Sequence, residues 1–158
     1  MAICEYTEES YQTKSLIGNS IKTRAEVRRL VYWINYKFYH EITRYIITEK
    51  VARYYSDNAS PDSKFIRAAR QNLIYHIKYM KHLIYNNGWL ASGEFSLADI
   101  ALASHISVLD YTGDFPWDLS DIVKDWYSLI KSRPCFRDIL SDRIVGFNPP
   151  AHYHCIDF

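Results

Sequence analysis

Two side chains that could act together in chemistry, the hydroxyl of Ser96 and the carboxylate of Asp99, lie three residues apart. The spacing suits a helix start better than a catalytic pair, because the serine can accept from the N–H three residues on and the aspartate can reach back to the serine N–H. Phe95 and Ile100 hold the positions of a hydrophobic staple. We therefore interpret Ser96, Asp99, Phe95 and Ile100 as a structural N-cap and predict no catalytic role for them.

A second group combines apolar area with polar tips, which suits the binding of a hydrophobic ligand or a partner protein. Packing against another domain or subunit is the alternative. The residues of this possible groove are Tyr32, Trp33, Tyr36, Tyr39 and His40.

The segment His152-Tyr153-His154-Cys155 contains residue types that bind metals. Zinc needs three or four ligands fixed in space, and the sequence offers no second cluster, so we predict no metal site. His105 falls in an apolar helical stretch and is expected to be a hydrogen-bonded core residue. No Ser-His-Asp set, glycine-rich phosphate loop or pair of carboxylates at a useful spacing is present, and we predict no catalytic residue.

Composition narrows the function classes. The 158 residues carry a net charge of +1, with 48% hydrophobic and 23% charged residues, which is typical of one globular domain. This charge gives no electrostatic case for binding nucleic acid or an anionic membrane. The three cysteines are widely spaced and fit reduced thiols, so we expect a cytoplasmic protein.

The elements that position these residues are predicted to be helices. Apolar residues recur at spacings of three and four, and strand signals are hard to find. Ser60 is the expected N-cap of the second long helix, with Pro61 at its first position, and Asn87-Gly88 is the expected stop. The expected helices are 2–11, 22–56, 61–87, 96–110, 119–131 and a short one from 134, followed by an extended tail. The fold class is therefore all-α.

Four segments stand in a characteristic order along the chain: Arg24-Ala25-Glu26, Trp89-Leu90 with Gly93, the Ser96/Asp99 box, and Trp126-Tyr127 ahead of Arg133-Pro134. Together they resemble the all-helical C-terminal domain of glutathione S-transferases, in which a capped central helix is buried. Residues 21–145 resemble this domain, and residues 1–12 resemble the last helix of the thioredoxin-like domain that precedes it. Residues 146–158 form the tail.

The resemblance implies that the glutathione site belongs to the thioredoxin-like domain and would lie upstream of Met1. We therefore expect an N-terminally truncated family member with no cofactor in this chain; glutathione would bind only if the missing domain were supplied. The helical face that this domain covers in the family would be exposed. We accordingly expect a homodimer, or a companion polypeptide that carries the N-terminal half.

A finer resemblance is carried by Val27-Arg28-Arg29-Leu30-Val31, Lys37-Phe38, Thr43-Arg44, residues 124–134 and the ending His152-Tyr153…Asp157-Phe158. These segments resemble bacterial glutathione S-transferase-like cell-division proteins that bind the tubulin homologue FtsZ. The resemblance implies FtsZ as a partner and a C-terminal docking peptide in which Tyr153 and Phe158 are anchors and Asp157 supplies charge. A non-catalytic FtsZ-binding protein is therefore the first hypothesis. The alternatives are a glutathione transferase whose other half is encoded separately or was missed, and a vestigial fragment.

Overall fold

The computed structural model describes residues 1–11, 15–57 and 60–156. Within these ranges the chain is helical, and the nearest approach to a strand is one isolated bridge between Ile144 and Phe147. The all-α prediction is confirmed. The α-helices outside the longest helical run are α1 Ala2–Tyr11, α5 Ser63–Asn87, α6 Leu97–Tyr111, α7 Asp121–Lys131 and α8 Pro134–Ser141.

The longest run, called here the long helix, consists of five consecutive helical segments. Ser20 caps its start, since its hydroxyl accepts from the Thr23 N–H at 3.0 Å. Two segments are π-helical, with wider turns in which an N–H donates to the carbonyl five residues back; the Arg44 N–H, for example, donates to the Tyr39 carbonyl. The prediction of one long helix is confirmed, but the wide turns were not predicted. The segments are α2 Ile21–Tyr32, π1 Trp33–Thr43, α3 Arg44–Ile46, π2 Ile47–Ala52 and α4 Arg53–Asp57.

The start of α5 differs from the prediction, whereas its end agrees with it. Asp62, not Ser60, is the N-cap, because its carboxylate accepts from the Lys64 N–H at 2.8 Å. The Asp62 N–H in turn donates to Glu49 Oε2 at 2.8 Å, which fixes the cap against the long helix. At the other end Gly88 has φ of 82°, a left-handed conformation that glycine adopts without strain, and it closes the helix as predicted.

The core lies between the long helix, α5, α6 and α7, whose buried side chains belong to one connected cluster. Most side chains of the central helix α6 are buried, among them Ala98, Leu102, Ala103 and Ile106, whereas Ile100 and Ser104 form a narrow exposed stripe. Trp126 of α7 is 2% exposed. The predicted burial of α6 is therefore confirmed outside this stripe.

The C-terminal residues fold back onto the bundle. Ala151–His154 forms a 3-10 turn, so the prediction of an extended tail is wrong for this segment. Burial of Tyr153 is the physical reason, since its ring packs between α6 and α8. None of the helices in the described ranges combines the length and the apolar content needed to cross a bilayer.

Candidate functional site

The Ser96/Asp99 pair forms a capping box at the start of α6. Asp99 is fully buried, and its Oδ2 accepts from both the N–H and the hydroxyl of Ser96 at 2.9 Å. Its Oδ1 accepts from the Leu90 N–H at 3.1 Å and from Trp126 Nε1 at 2.9 Å. Burial raises the pKa of Asp99, although these four donors oppose the shift. The Asp99 carboxylate therefore connects the Leu90 backbone, the start of α6 and the Trp126 side chain of α7, which supports a structural role.

The other two predicted cap residues, Phe95 and Ile100, lie nearer to the surface than Asp99. The Phe95 ring makes a T-shaped contact with Trp89, with ring centroids 5.2 Å apart. The guanidinium carbon of Arg133 lies 3.7 Å from the Phe95 centroid, a cation–π distance. Ile100 is 36% exposed. A staple between Phe95 and Ile100 stays a prediction, whereas the Arg133 contact explains the placement of Phe95 without it.

Four of the predicted groove residues, Tyr32, Tyr36, Tyr39 and His40, lie together on the long helix at the end of α2 and in π1. Tyr32 and Tyr36 stack with ring centroids 5.4 Å apart, and Tyr36 meets His40 edge-on at 5.0 Å. Arg44 Nη1 continues the row, 3.5 Å from His40 Nδ1. Tyr32 is 67% exposed and Tyr36 57% exposed. We call Tyr32, Tyr36, His40 and Arg44 the aromatic ladder; it is an open surface with no enclosing wall.

Tyr39 and His105 border the aromatic ladder on the side of α6. The two rings are 6.1 Å apart, and His105 is half-buried between π1 and α6. Its Nδ1 lies 3.0 Å from Thr43 Oγ1 and its Nε2 lies 3.4 Å from Asn35 Oδ1. Burial lowers the pKa of His105. The hydrogen bonds of His105 agree with the expectation from the sequence, whereas its ring is half-buried and not in the core.

Trp33 is separated from the other four groove residues, because it points from π1 toward α5. It lines a cavity of about 400 Å³ together with His76 and Tyr79. The Trp33 ring lies 5.0 Å from that of Tyr79 and 5.3 Å from that of His76. His76 Nε2 lies 2.8 Å from Glu41 Oε2, and burial lowers the pKa of this imidazole although the carboxylate opposes the shift. The predicted groove therefore divides into the aromatic ladder and this separate cavity.

The C-terminal turn is held by its own hydrogen bonds and packing. Tyr153 is 2% exposed, and its hydroxyl lies 3.2 Å from Ser107 Oγ and donates to the Ile139 carbonyl at 3.3 Å. Its ring meets Tyr111 edge-on at 5.1 Å. The interpretation of Tyr153 as an exposed docking anchor is therefore wrong. The other two residues of the proposed docking peptide, Asp157 and Phe158, lie outside the described residues.

A buried polar cluster that was not predicted from the sequence fixes the same turn. His152 Nε2 and Trp117 Nε1 each lie 2.9 Å from Asp110 Oδ1. Lys131 is fully buried, with its Nζ 3.9 Å from Asp110 Oδ2, and it donates to the His152 carbonyl at 3.2 Å. Burial raises the pKa of Asp110 and lowers that of Lys131. One signal was present in the sequence: Asp110 is a charge at the end of a helix otherwise expected to be buried.

The residue types of the C-terminal segment do not assemble a metal centre in the part of the chain that the structure describes. His152 contacts Asp110, His154 Nδ1 lies 3.2 Å from the Leu140 carbonyl, and Cys155 is exposed. The imidazoles of His152 and His154 therefore help to hold the C-terminal turn in place.

Comparison with known proteins gives close matches along almost the whole chain. FtsZ-localized protein A from Caulobacter vibrioides (strain NA1000 / CB15N) is 42% identical over 157 residues, which cover 99% of this chain and 69% of that protein. The solved structure of FzlA from C. crescentus is also 42% identical, with a TM-score of 0.96 over 99% of this chain and 70% of that one.

A third match bears the name of an enzyme. The crystal structure of a glutathione S-transferase from Rhodospirillum rubrum F11 is 45% identical, with a TM-score of 0.94 over 99% of this chain and 70% of that one. No family model matches the chain. The similarity is high in both sequence and fold, and it extends through the long helix, the capped central helix and the C-terminal turn.

Proposed function

Because this chain belongs to the glutathione S-transferase-like family that contains FtsZ-localized protein A, we propose that it binds FtsZ and acts in bacterial cell division as a non-catalytic protein. The observation that carries the proposal is the 42% identity to that protein over 99% of the chain. The cytoplasm, where FtsZ polymers form, is the compartment that this function requires.

The aromatic ladder is the surface that we assign to this binding. Binding hot spots are enriched in tyrosine, because a rigid ring buries a large area at a low cost in side-chain entropy. Two stacked tyrosines on a helix are held in place before the partner arrives. The final residues, Asp157 and Phe158, are a second proposed contact.

Co-sedimentation with FtsZ polymers assembled with GTP tests the proposal. The full chain is expected to pellet with the polymers at about micromolar concentrations and to stay in the supernatant when FtsZ is omitted. Removal of residues 157–158 is the appropriate truncation, because a cut before Tyr153 would also remove a buried core residue. Failure of the intact chain to pellet with FtsZ would overturn the proposed function.

Glutathione transfer is the second candidate function, favoured by the 45% identity to the Rhodospirillum rubrum glutathione S-transferase. We propose that this chain holds no glutathione by itself, as the family resemblance implies. Two measurements distinguish the candidates: retention on glutathione resin, and conjugation of glutathione to a chromogenic electrophile. Retention together with turnover would support the enzyme and contradict the non-catalytic assignment.

We also propose that two copies associate through α5. This helix exposes four large apolar side chains, Phe65, Ile74, Tyr75 and Tyr85, the last two at 71% and 77%. Exposed apolar patches of this kind mark protein interfaces. Sedimentation velocity is expected to give a dimer that Tyr75→Glu dissociates. A wild-type chain that sediments as a monomer would contradict the dimer and leave a companion polypeptide as the alternative.

A further inference from the structure

The aromatic ladder combines exposed rings with positive charge and lacks accessible carboxylates, which indicates the chemistry of its partner. We propose that the ladder binds an acidic segment of the partner protein. In this arrangement a carboxylate of the segment pairs with Arg44 and its apolar atoms pack on Tyr32 and Tyr36. The inference rests on the proposed function and names the kind of FtsZ segment that this surface would accept.

The acidic residues of π1 and α6 face away from the ladder or are buried. Glu41 is the only acidic residue of π1, and its carboxylate accepts from Lys37 and contacts His76 on the side of α5. The neighbouring helix α6 contains two aspartates, Asp99 and Asp110, and both are fully buried. Glu5 of α1 lies near the Tyr32 end of the ladder, where its carboxylate is paired with Arg28. A carboxylate that approaches Arg44 therefore meets no like charge from π1 or α6.

Arg44 differs from other cations of the long helix. Arg28, Arg29 and Lys37 each form an ion pair with a glutamate at 2.5 to 2.6 Å. For Arg44 the contacts in the described part of the chain are the His40 ring and the Tyr45 ring, whose centroid is 5.6 Å from the guanidinium carbon. A guanidinium that is exposed and has no carboxylate beside it can offer two parallel N–H groups to a carboxylate of a partner.

The hydrophobic part of the interaction comes from the stacked tyrosines. Tyr36 lies one turn before His40 and Tyr32 lies two turns before it, so the apolar and cationic parts form one continuous row on the long helix. This row fits a partner segment in which acidic residues stand next to apolar or aromatic ones. A purely basic or purely polar segment would leave either the guanidinium or the two rings without a complementary group.

Fluorescence anisotropy with two labelled peptides tests the charge requirement. One peptide alternates Glu with Phe, and the other has Lys in place of every Glu. The acidic peptide is expected to bind at least about 10-fold more tightly, and this preference should weaken in about 0.5 M NaCl because salt screens exposed charges. Equal binding of the two peptides would overturn the inference.

Variants on and off the ladder test its location. Arg44→Glu and Tyr36→Ala are each expected to weaken binding of the acidic peptide by about 10-fold. Arg137→Glu and Tyr11→Ala are the matched controls, because both residues are exposed and lie on α8 and α1, away from the ladder; they should leave the affinity unchanged. Circular dichroism of each variant confirms that the fold is retained. Equal losses from the ladder and control variants would place the interaction elsewhere and overturn the inference.

The same variants in FtsZ co-sedimentation separate this inference from the proposed function. If wild-type protein pellets with FtsZ and Arg44→Glu and Tyr36→Ala pellet equally well, the function stands and the acidic-segment inference falls. If the acidic peptide binds and the ladder variants weaken this binding, but the wild-type protein does not pellet with FtsZ, the charge preference of the ladder stands and the proposed FtsZ function falls.

Discussion

At the scale of single residues, Asp99 carries more contacts than its position at a helix start requires. A capping carboxylate needs only the N–H of its cap residue, but Asp99 also accepts from the Leu90 backbone and the Trp126 indole. It therefore connects the segment before α6, the start of α6 and the middle of α7. The two-residue pattern in the sequence predicted the cap but not the indole, because Trp126 lies 27 positions away and its approach depends on the packing of α7.

Asp99→Ala is expected to destabilise the protein by about 3 kcal/mol, since it removes the cap and leaves several buried donors without an acceptor. Chemical denaturation measures this loss. The affinity of the folded fraction for FtsZ should stay unchanged, because Asp99 is fully buried. Ser104→Ala, an exposed substitution on the same helix, is the control. An unchanged denaturation midpoint for Asp99→Ala would contradict the structural assignment.

His105 makes stability depend on pH. Burial lowers its pKa in the folded protein, so the unfolded chain takes up the proton first as pH falls below about 6.5. The stabilisation is complete above that pH and is lost as pH drops toward the lowered folded value. His76, whose pKa is also lowered by burial, acts in the same direction. Asp99 and Asp110, with raised pKa values, act in the opposite direction in more acidic solution.

The melting temperature is therefore expected to be lower at about pH 5.5 than at about pH 7.5. His105→Gln should flatten this dependence, because glutamine can still bond with Thr43 and does not titrate in this range. His82→Gln is the matched control on an exposed histidine of α5. Identical pH profiles for wild type and His105→Gln would show that the imidazole contributes nothing to the pH dependence.

At the scale of elements, the helix boundaries were predicted well where local sequence signals set them. Gly88 at the end of α5 and Ser96 at the start of α6 are such signals, because a left-handed glycine and a capping box act within a few residues. The start of α5 was misplaced because Ser60 and Asp62 are both good caps, and the choice depends on the distant Glu49 carboxylate. The π turns escaped prediction, since the apolar spacing does not reveal which carbonyl accepts each N–H.

The C-terminal turn was predicted least well, because its structure depends on contacts with α6 and α8 that no local pattern contains. Tyr153→Ala is expected to cost about 3 kcal/mol, since it removes a buried ring. Tyr153→Phe keeps the ring, loses the hydrogen bonds to Ser107 and Ile139, and should cost about 1 kcal/mol. Thermal denaturation distinguishes them. Equal stability of the alanine variant and wild type would mean that the turn does not support the bundle.

At the scale of the whole molecule, the buried apolar side chains form one connected core from Ile17 to Tyr153. Side chains of the long helix and of α5, α6, α7 and α8 all belong to this core, so unfolding of any one of these helices exposes core residues. The single helical core was predicted from composition and apolar periodicity, because both depend on the average hydrophobicity of each segment and not on single contacts. The candidate site was only half predicted, since the five groove residues are close in sequence but Trp33 points toward α5, away from the face that carries Tyr32, Tyr36 and His40.

A single cooperative unfolding transition is therefore expected. The loss of helical circular dichroism and the change in tryptophan fluorescence, which includes the buried Trp126, should share one midpoint in urea. Trp33→Phe is a useful control, because it removes the indole fluorophore at the separate cavity and leaves the buried Trp126 in place. Two separated midpoints would show that part of the bundle unfolds independently.

The wide turns of the long helix have an evolutionary consequence. A π turn contains about one residue more than an α turn, so deletion of one residue within Trp33–Thr43 can be absorbed by tightening a single turn. The same deletion in the middle of α5 would rotate everything beyond it by about 100° and move buried side chains into solvent. Related chains that differ in length by one residue in this part of the long helix can therefore keep the same bundle while changing how their surface side chains line up.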